Sequence, residues 1–224
     1  KSNANYMRIT MTEMFVLNIN FQNVPYRLKS KDKYKIQHAC AYSLLIYIIK
    51  IRYGLCLKKS NIRKTSFGKP YISCNNLNIN FSIAHSDNIV VVAISDSKIG
   101  IDVEAVTPMK FDITNYDDFF TSKEIEAVVN SKNRERAFSI LWTRKEASVK
   151  YLDVGLESFY KTTLIKNIFI NSFFIKVISG EEYAVSIVCE KNELKRYKCS
   201  ISFVEKYIDN FMAQLNDKFI LERR

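Results

Sequence analysis

Histidine is nearly missing from this sequence: His38 and His85 are the only two in 224 residues. Five cysteines, Cys40, Cys56, Cys74, Cys189 and Cys199, are scattered with no C-x-x-C pair and no histidine at metal-ligand spacing. These absences exclude a zinc cage or a His-rich metal tract, and the thiols read as reduced, mostly buried small hydrophobes. No uninterrupted apolar run is long enough to span a bilayer. The first residues lack the charged, apolar, small-residue order of a secretory signal, so the expected address is cytoplasmic, with no membrane partner. Ser2-Asn3-Ala4 reads as the remnant of a removed tag, which would make Met7 the natural start and takes the first residues out of fold reasoning. Low-complexity segments and residue-level repeats are lacking as well.

What is present describes a globular chain. A hydrophobic content of 47% can build a proper core for one large domain or two small ones. Thirty-four Lys and Arg against 23 Asp and Glu leave a formal charge of +11, which implies an anionic partner. Nucleic acid, a phosphate-rich cofactor and an acidic protein all satisfy that charge, and so does a merely solvated basic surface.

Along the chain, patterning predicts a strand over Met14 to Ile19, a basic polar loop over Arg27 to Lys35 and a long helix over Ile36 to Arg52, buried on most faces. Phe67-Gly68-Lys69-Pro70 is a turn signal. Strands rich in β-branched residues follow over Asn78 to Ile83, Ile89 to Ser95 and Ile99 to Glu104. Thr121-Ser122-Lys123-Glu124 is a capping box that opens a helix. A second helix spans Arg134 to Tyr151 and ends near Gly155, with Phe138, Leu141 and Trp142 on one side. Strands are expected over Ile168 to Ser179, Tyr183 to Val188 and Tyr197 to Glu205, and a helical tail over Ile208 to Ile220.

Chemistry concentrates in four places. In Ile99-Gly100-Ile101-Asp102-Val103-Glu104, alternation puts Gly100, Asp102 and Glu104 on one strand face. Two carboxylates aimed one way suit Mg²⁺, which takes a few carboxylates, waters and substrate phosphates, and Gly100 would let a ligand approach the backbone. The alternative is a half-exposed strand with a polar face; in the metal reading the two carboxylates are ligands on a face that needs no carboxylate for packing. In Trp142-Thr143-Arg144-Lys145-Glu146-Ala147-Ser148-Val149-Lys150, Glu146 and Lys150 sit at i and i+4. They are either a metal ligand or base with a phosphate contact, or a surface ion pair. Asn80-Phe81-Ser82-Ile83-Ala84-His85-Ser86 ends a strand, placing His85 where irregular backbone begins. Gly68-Lys69-Pro70-Tyr71 is by itself only a turn.

In order and spacing, GKPY, FSIAHS, IGIDVE, the FTSKE helix start and W-x-x-KEA-x-x-K resemble the Sfp-type 4′-phosphopantetheinyl transferases, clearly from Phe67 to Leu156 and loosely on both flanks. The resemblance implies an α+β fold, a pseudo-twofold pair of small α/β subdomains (residues 1–110 and 111–224 here) with coenzyme A bound at their interface. Carried over, Asp102, Glu104 and Glu146 become Mg²⁺ ligands, with Glu104, Glu146 and Lys150 catalytic. Lys69 and Pro70 line the adenine end, His85 contacts a cofactor phosphate, Lys150 reaches the pyrophosphate, and Lys31, Lys33 and Lys35 stand near the 3′-phosphate. Two positions depart from the pattern: Ala84 replaces the serine that often precedes the motif histidine, and Gln37, beside His38, falls where relatives carry an arginine.

The implied reaction is attack by a carrier-protein serine on the β-phosphate of coenzyme A, releasing 3′,5′-ADP, with Glu146 a candidate base, directly or through a water near Glu104. The expected partner is an acidic apo acyl or peptidyl carrier protein, met by long-range attraction and by an apolar patch among Phe111, Tyr116, Phe119 and residues after Lys150, unless those aromatics are core. A monomer is expected, since two halves complete one site. The competing reading is a basic, non-catalytic nucleic-acid-binding module. It accounts for the charge but not for two convergent carboxylates, which repel phosphates unless a cation intervenes, so no nucleic-acid partner is expected.

Overall fold

The computed structural model describes residues 11–19, 32–73, 79–155, 157–158 and 168–208. Lys31, most of the basic loop before it, Cys74 and the tail beyond Ile208 lie outside the described residues. The elements run β1 (Thr12–Asn18), α1 (Lys33–Tyr53), β2 (Ile62–Lys64), β3 (Pro70–Ile72), β4 (Asn80–Ser86), β5 (Ile89–Ser95), β6 (Ile99–Ala105), α2 (Ser122–Val129), α3 (Arg134–Leu152), β7 (Phe169–Lys176), β8 (Glu182–Cys189) and β9 (Leu194–Cys199). Among the described residues this is a mixed α+β architecture with three sheets, ordered β4-β5-β1-β9, β2-β3 and β6-β8-β7.

Local chemistry sets the ends of the helices. Asp32 caps α1 by accepting from the Tyr34 amide at 2.9 Å. Gly54, in the left-handed region at φ 66°, closes it, a conformation glycine adopts without penalty. The capping box of α2 forms as the sequence implies, with Thr121 and Glu124 satisfying each other's amides. None of the helices among the described residues is long and apolar enough to cross a membrane.

Packing gives four layers. Alternation in β1, β4 and β5 sends Phe15, Leu17, Phe81, Val90 and Val92 toward α1, where Leu44, Leu45, Ile48 and Ile49 meet them. The opposite face, with Met14, Val91 and Ala93, packs on Ile99, Ile101, Val103, Val185 and Ile187 of the third sheet. Helix α3 covers that sheet's outer face, with Ala147 and Tyr151 against Val188. Strand β9 returns to pair in parallel with β1. There Arg52 lies over the Tyr197 ring at 4.9 Å and donates to Glu13 at 2.9 Å, so residues distant in sequence complete the first core.

Three elements differ from expectation. Strand β4 runs on to Ser86, so His85 stands within a strand and not where irregular backbone begins, because the ladder with β5 continues through His85–Val90 and Ser86–Ile89. Helix α1 starts at Lys33, inside the expected loop, because Asp32 caps it there. The strand predicted over Tyr197 to Glu205 stops at Cys199, and residues 201–208 are helical. Ser200 ends the strand, and its carbonyl accepts from the Phe203 amide at 3.1 Å. Val204 and Ile208, four apart, then bury themselves in the first core. The β-branched content that suggests a strand also serves one apolar helical face, and tertiary packing chose between the two.

Candidate active site

Strand β6 carries Asp102 and Glu104 into a cleft between α1 and α3. A cavity of about 390 Å³ opens there, walled by Tyr34, His38 and Tyr42 of α1, Lys64, Pro70, His85, Asp102 and Glu104 of the strands, and Trp142, Glu146 and Lys150 of α3. Lys69 stands beside it in an adjoining cavity of about 250 Å³ that shares Pro70, Glu146 and Lys150. The structure therefore brings Asp102, Glu104, Glu146, Lys150, His85, Lys69 and Pro70 around two adjoining cavities. Lys33 and Lys35 stand on the first turn of α1, exposed and outside the cavity lining, and Lys33 donates to Asp87 at 2.8 Å. Gln37 also faces away: it is buried and donates to the Asp87 carbonyl at 2.7 Å, tying α1 to the β4–β5 turn.

Two readings of the strand face change. Asp102 is buried at 5% exposure, so the face is not half open. Gly100 does not leave room for a ligand. A Cβ there would press into the Ala147 carbonyl and lie 2.5 Å from the Tyr151 amide nitrogen. The missing side chain lets the backbone of α3 settle onto β6, which is what carries Glu146 and Lys150 to the carboxylates.

Lys150 donates to Asp102 Oδ1 at 2.6 Å. Burial pulls the Lys150 ammonium down, but Asp102, Glu146 and Glu104 together outweigh it and hold the lysine charged. Burial pushes the Asp102 carboxyl up, and the contact with Lys150 offsets this only in part. For Glu104, burial and then the Asp102 charge raise it to about 7, against a hydrogen bond from Ser86. Burial likewise raises Glu146, with Lys150 opposing and Asp102 adding to it. His85 is lowered by burial and by the Lys150 charge, which keeps its imidazole neutral. Burial brings Lys69 down to about 8 against the pull of Asp153.

This donor set fits a divalent cation. Asp102 Oδ2 is buried with no hydrogen-bond partner; the Asp102 charge raises both Glu104 and Glu146, and Glu146 adds to the rise of Glu104, a repulsion that a cation would relieve. As placed, no three acidic, imidazole or thiol side chains among the described residues form a ready-made metal cage. Mg²⁺ needs none, because it keeps waters and takes substrate oxygens alongside one or two carboxylates.

Residues that motif reading passed over hold the site. Ser82 Oγ accepts from the Ile101 amide at 3.1 Å, while Ser86 Oγ accepts from Ala105 and donates to Glu104 at 3.1 Å. Ser82, Ala84 and Ser86 alternate along β4 onto the face toward β6, so a run of small residues at period two was the signal. Ala84 is thus part of a close strand approach. Tyr34, His38 and Tyr42 form a stripe at four-residue spacing, with His38 and Tyr42 rings 4.6 Å apart and Tyr34 edge-on to His85 at 5.5 Å. Lys145, only 3% exposed, pairs with Glu124 at 3.0 Å. The capping-box glutamate therefore joins the α2 start to the KE of α3.

Beyond Glu104 and Trp142 lies a more apolar cavity of about 360 Å³ with Phe111, Tyr116 and Phe120 in its wall. Phe111, Tyr116 and Phe119 are each about two-fifths exposed, at 40%, 38% and 44%.

The sequence model of the 4′-phosphopantetheinyl transferase superfamily matches residues 98–202. The chain is 32% identical over 165 residues to the 4′-phosphopantetheinyl transferase gsp of Aneurinibacillus migulanus, covering 69% of this chain and 62% of that protein. It is 27% identical over 136 residues to an L-aminoadipate-semialdehyde dehydrogenase-phosphopantetheinyl transferase of Candida glabrata, with 57% and 52% covered. Against the 4′-phosphopantetheinyl transferase Sfp of Bacillus subtilis it is 33% identical over 104 residues, 45% of each chain. The match thus spans less than two thirds of each of these relatives' lengths.

Proposed function

We propose, on the premise that this chain is a homologue of the Sfp-type members of the 4′-phosphopantetheinyl transferase superfamily, that it transfers 4′-phosphopantetheine from coenzyme A to a serine of an apo carrier protein. The observation that carries this reading is the convergence of Asp102, Glu104 and Glu146 beside Lys150 in one cavity. Carboxylates so placed accept a pyrophosphate only with a cation between them. In this reading residues 1–110 and 111–224 are the two pseudo-twofold subdomains, with coenzyme A in the cleft between α1 and α3. Each long helix covers one sheet, and the halves exchange strands, β6 joining the sheet under α3 and β9 the sheet under α1.

Asp102, Glu104 and Glu146 would hold Mg²⁺, which when bound neutralises pyrophosphate charge and steadies the phosphorus for in-line attack. Glu146 takes the serine proton, directly or through a water near Glu104, as the serine oxygen bonds to the β-phosphorus. The bond from that phosphorus to the departing 3′,5′-ADP breaks, and the Lys150 ammonium meets the charge that builds there. Lys69 and Pro70 flank the adenine end, and neutral His85 donates to a cofactor phosphate. Lys31, Lys33 and Lys35 attract the 3′-phosphate from the N-terminal side.

The carrier is an acidic acyl or peptidyl carrier protein. Its negative surface suits the excess of basic residues, and the part-exposed Phe111, Tyr116 and Phe119 offer the apolar contact. The test is incubation of the protein with coenzyme A, Mg²⁺ and a panel of apo carriers, read by intact mass. A phosphopantetheine adduct on at least one carrier is expected. No adduct on any, together with thermal stabilisation by single-stranded oligonucleotide and none by coenzyme A with Mg²⁺, would overturn the transferase reading in favour of a nucleic-acid module.

A further inference from the structure

Beneath α3 runs a line of hydroxyls that the proposed chemistry does not use. Arg144 Nε lies 2.8 Å from Ser172 Oγ, Ser172 Oγ 3.0 Å from Ser186 Oγ, Ser186 Oγ 2.8 Å from Thr143 Oγ1, and Thr143 Oγ1 3.2 Å from the Ile140 carbonyl. Its direction follows from the chemistry of the two ends. A guanidinium can only donate and a carbonyl can only accept, and each hydroxyl has one proton. Arg144 therefore donates to Ser172, Ser172 to Ser186, Ser186 to Thr143, and Thr143 to the Ile140 carbonyl. Every member is satisfied in one order, and Thr143 and Ser186 are fully buried.

The line lies where register matters. Ser186 is the cross-strand partner of both Asp102 and Ser172, so the hydroxyls extend the rung that carries the proposed metal ligand. Thr143 is three residues before Glu146 and seven before Lys150, so Lys150 stands two turns, about 10 Å, along the same helix face. Ala147, opposite Gly100, allows close approach but no fixed position, since small apolar surfaces can slide. A directed hydrogen bond cannot. We propose that the Thr143–Ser186–Ser172 chain is a positioning device: it sets the register of α3 over β6, and with it the spacing of Glu146 and Lys150 from Asp102 and Glu104. This rests on the transferase reading of the site.

The test compares Thr143→Val, which keeps the shape but loses the hydroxyl, Ser186→Ala, the double variant, and Thr143→Ser as the conservative control. The double variant removes both fully buried hydroxyls and leaves only the half-buried Ser172, which still accepts from Arg144, without an acceptor, so it is expected to stay folded if either single change does not. Melting, steady-state transfer and a Mg²⁺ titration of the melting temperature at saturating coenzyme A are measured for each. Displacing reacting groups by a fraction of an ångström to an ångström should lower kcat about 10- to 100-fold while the coenzyme A KM moves less than about threefold. The Mg²⁺ midpoint should rise several-fold, and Thr143→Ser should recover both. Wild-type kcat and Mg²⁺ midpoint in the folded double variant would overturn the proposal. A wild-type protein with neither transfer nor a Mg²⁺ response would instead overturn the transferase reading and this device with it.

Discussion

Glu104 shows how one residue is governed by its surroundings. Its carboxyl ionises near 4.5 in an unfolded chain and near 7 in the fold, because burial and then Asp102 oppose its charge. Between these values the folded protein binds the extra proton, so stability is fullest below about 4.5 and falls as pH rises through about 7. Glu104→Gln keeps an acceptor for Ser86 and removes the charge. In chelator it should match wild type near pH 4 and exceed it by about 2 kcal/mol at pH 8, after solvent screening is allowed for. With Mg²⁺ and coenzyme A the order should reverse, since only wild type gains a ligand. Melting curves across pH, with and without metal, check both halves; an unchanged pH slope in the variant would remove Glu104 from the acidic centre. Asp102 is a different case. The sequence reading treated its carboxylate as dispensable for packing, but it is buried against Lys150, and deleting it strands an ammonium.

At the scale of elements, α3 depends on two contacts that a sequence does not display. Gly100 gives the helix its seat on β6. Because the atoms a Cβ would meet belong to the Ala147 and Tyr151 backbone, they cannot swing aside. Gly100→Ala should lower stability by about 3 kcal/mol and abolish transfer by lifting Glu146 and Lys150 together. A near-normal melting temperature with full activity would show that the helix yields freely. The second contact is the Lys145–Glu124 pair, at 3% and 16% side-chain exposure. Lys145→Met alone takes the ammonium away from the half-buried Glu124 carboxylate, which keeps its Thr121 donors, and should lower stability by about 2–4 kcal/mol, while Lys145→Met with Glu124→Gln should recover much of that. Chemical denaturation of the singles and the double closes the cycle. Strict additivity would mean that the pair does not join α2 to α3.

The whole molecule pairs a strongly basic chain with an acidic centre. The chain carries an excess of eleven positive charges, while the cavity holds the Asp102, Glu104 and Glu146 carboxylates, so long-range attraction and local chemistry have opposite signs. In the proposed transfer an acidic carrier would be drawn by the first and react at the second. Raising ionic strength from about 0.05 to 0.5 M shortens the reach of that attraction from beyond 10 Å to a few ångströms. The carrier KM should climb several-fold and kcat hold steady. Steady-state transfer across a salt series measures this, and a flat KM would leave docking to the apolar patch alone.

Local rules decided much of the chain without help. Strand β5 occupies Ile89–Ser95 as patterning implies, and the capping box starts α2 where its residues stand. The motif order that resembles the transferases was also legible, because alternation, caps and turns act over a few neighbouring residues. What needed the tertiary structure was every partner at long separation. Lys150 meets Asp102 from 48 residues away, and Thr65 donates to Asp153 across 88. The same holds for Gly100 as a seat for a helix, for Gln37 as a tie to Asp87, and for Ser86 as the support of Glu104. Ser200 to Ile208 makes the point from the other side: its apolar residues suit a strand or a helix equally, and the surface of the first core chose the helix. Hydrogen-bonding rules between neighbours are written in the order of residues, whereas desolvation and charge depend on what packs against them, which only the folded chain defines.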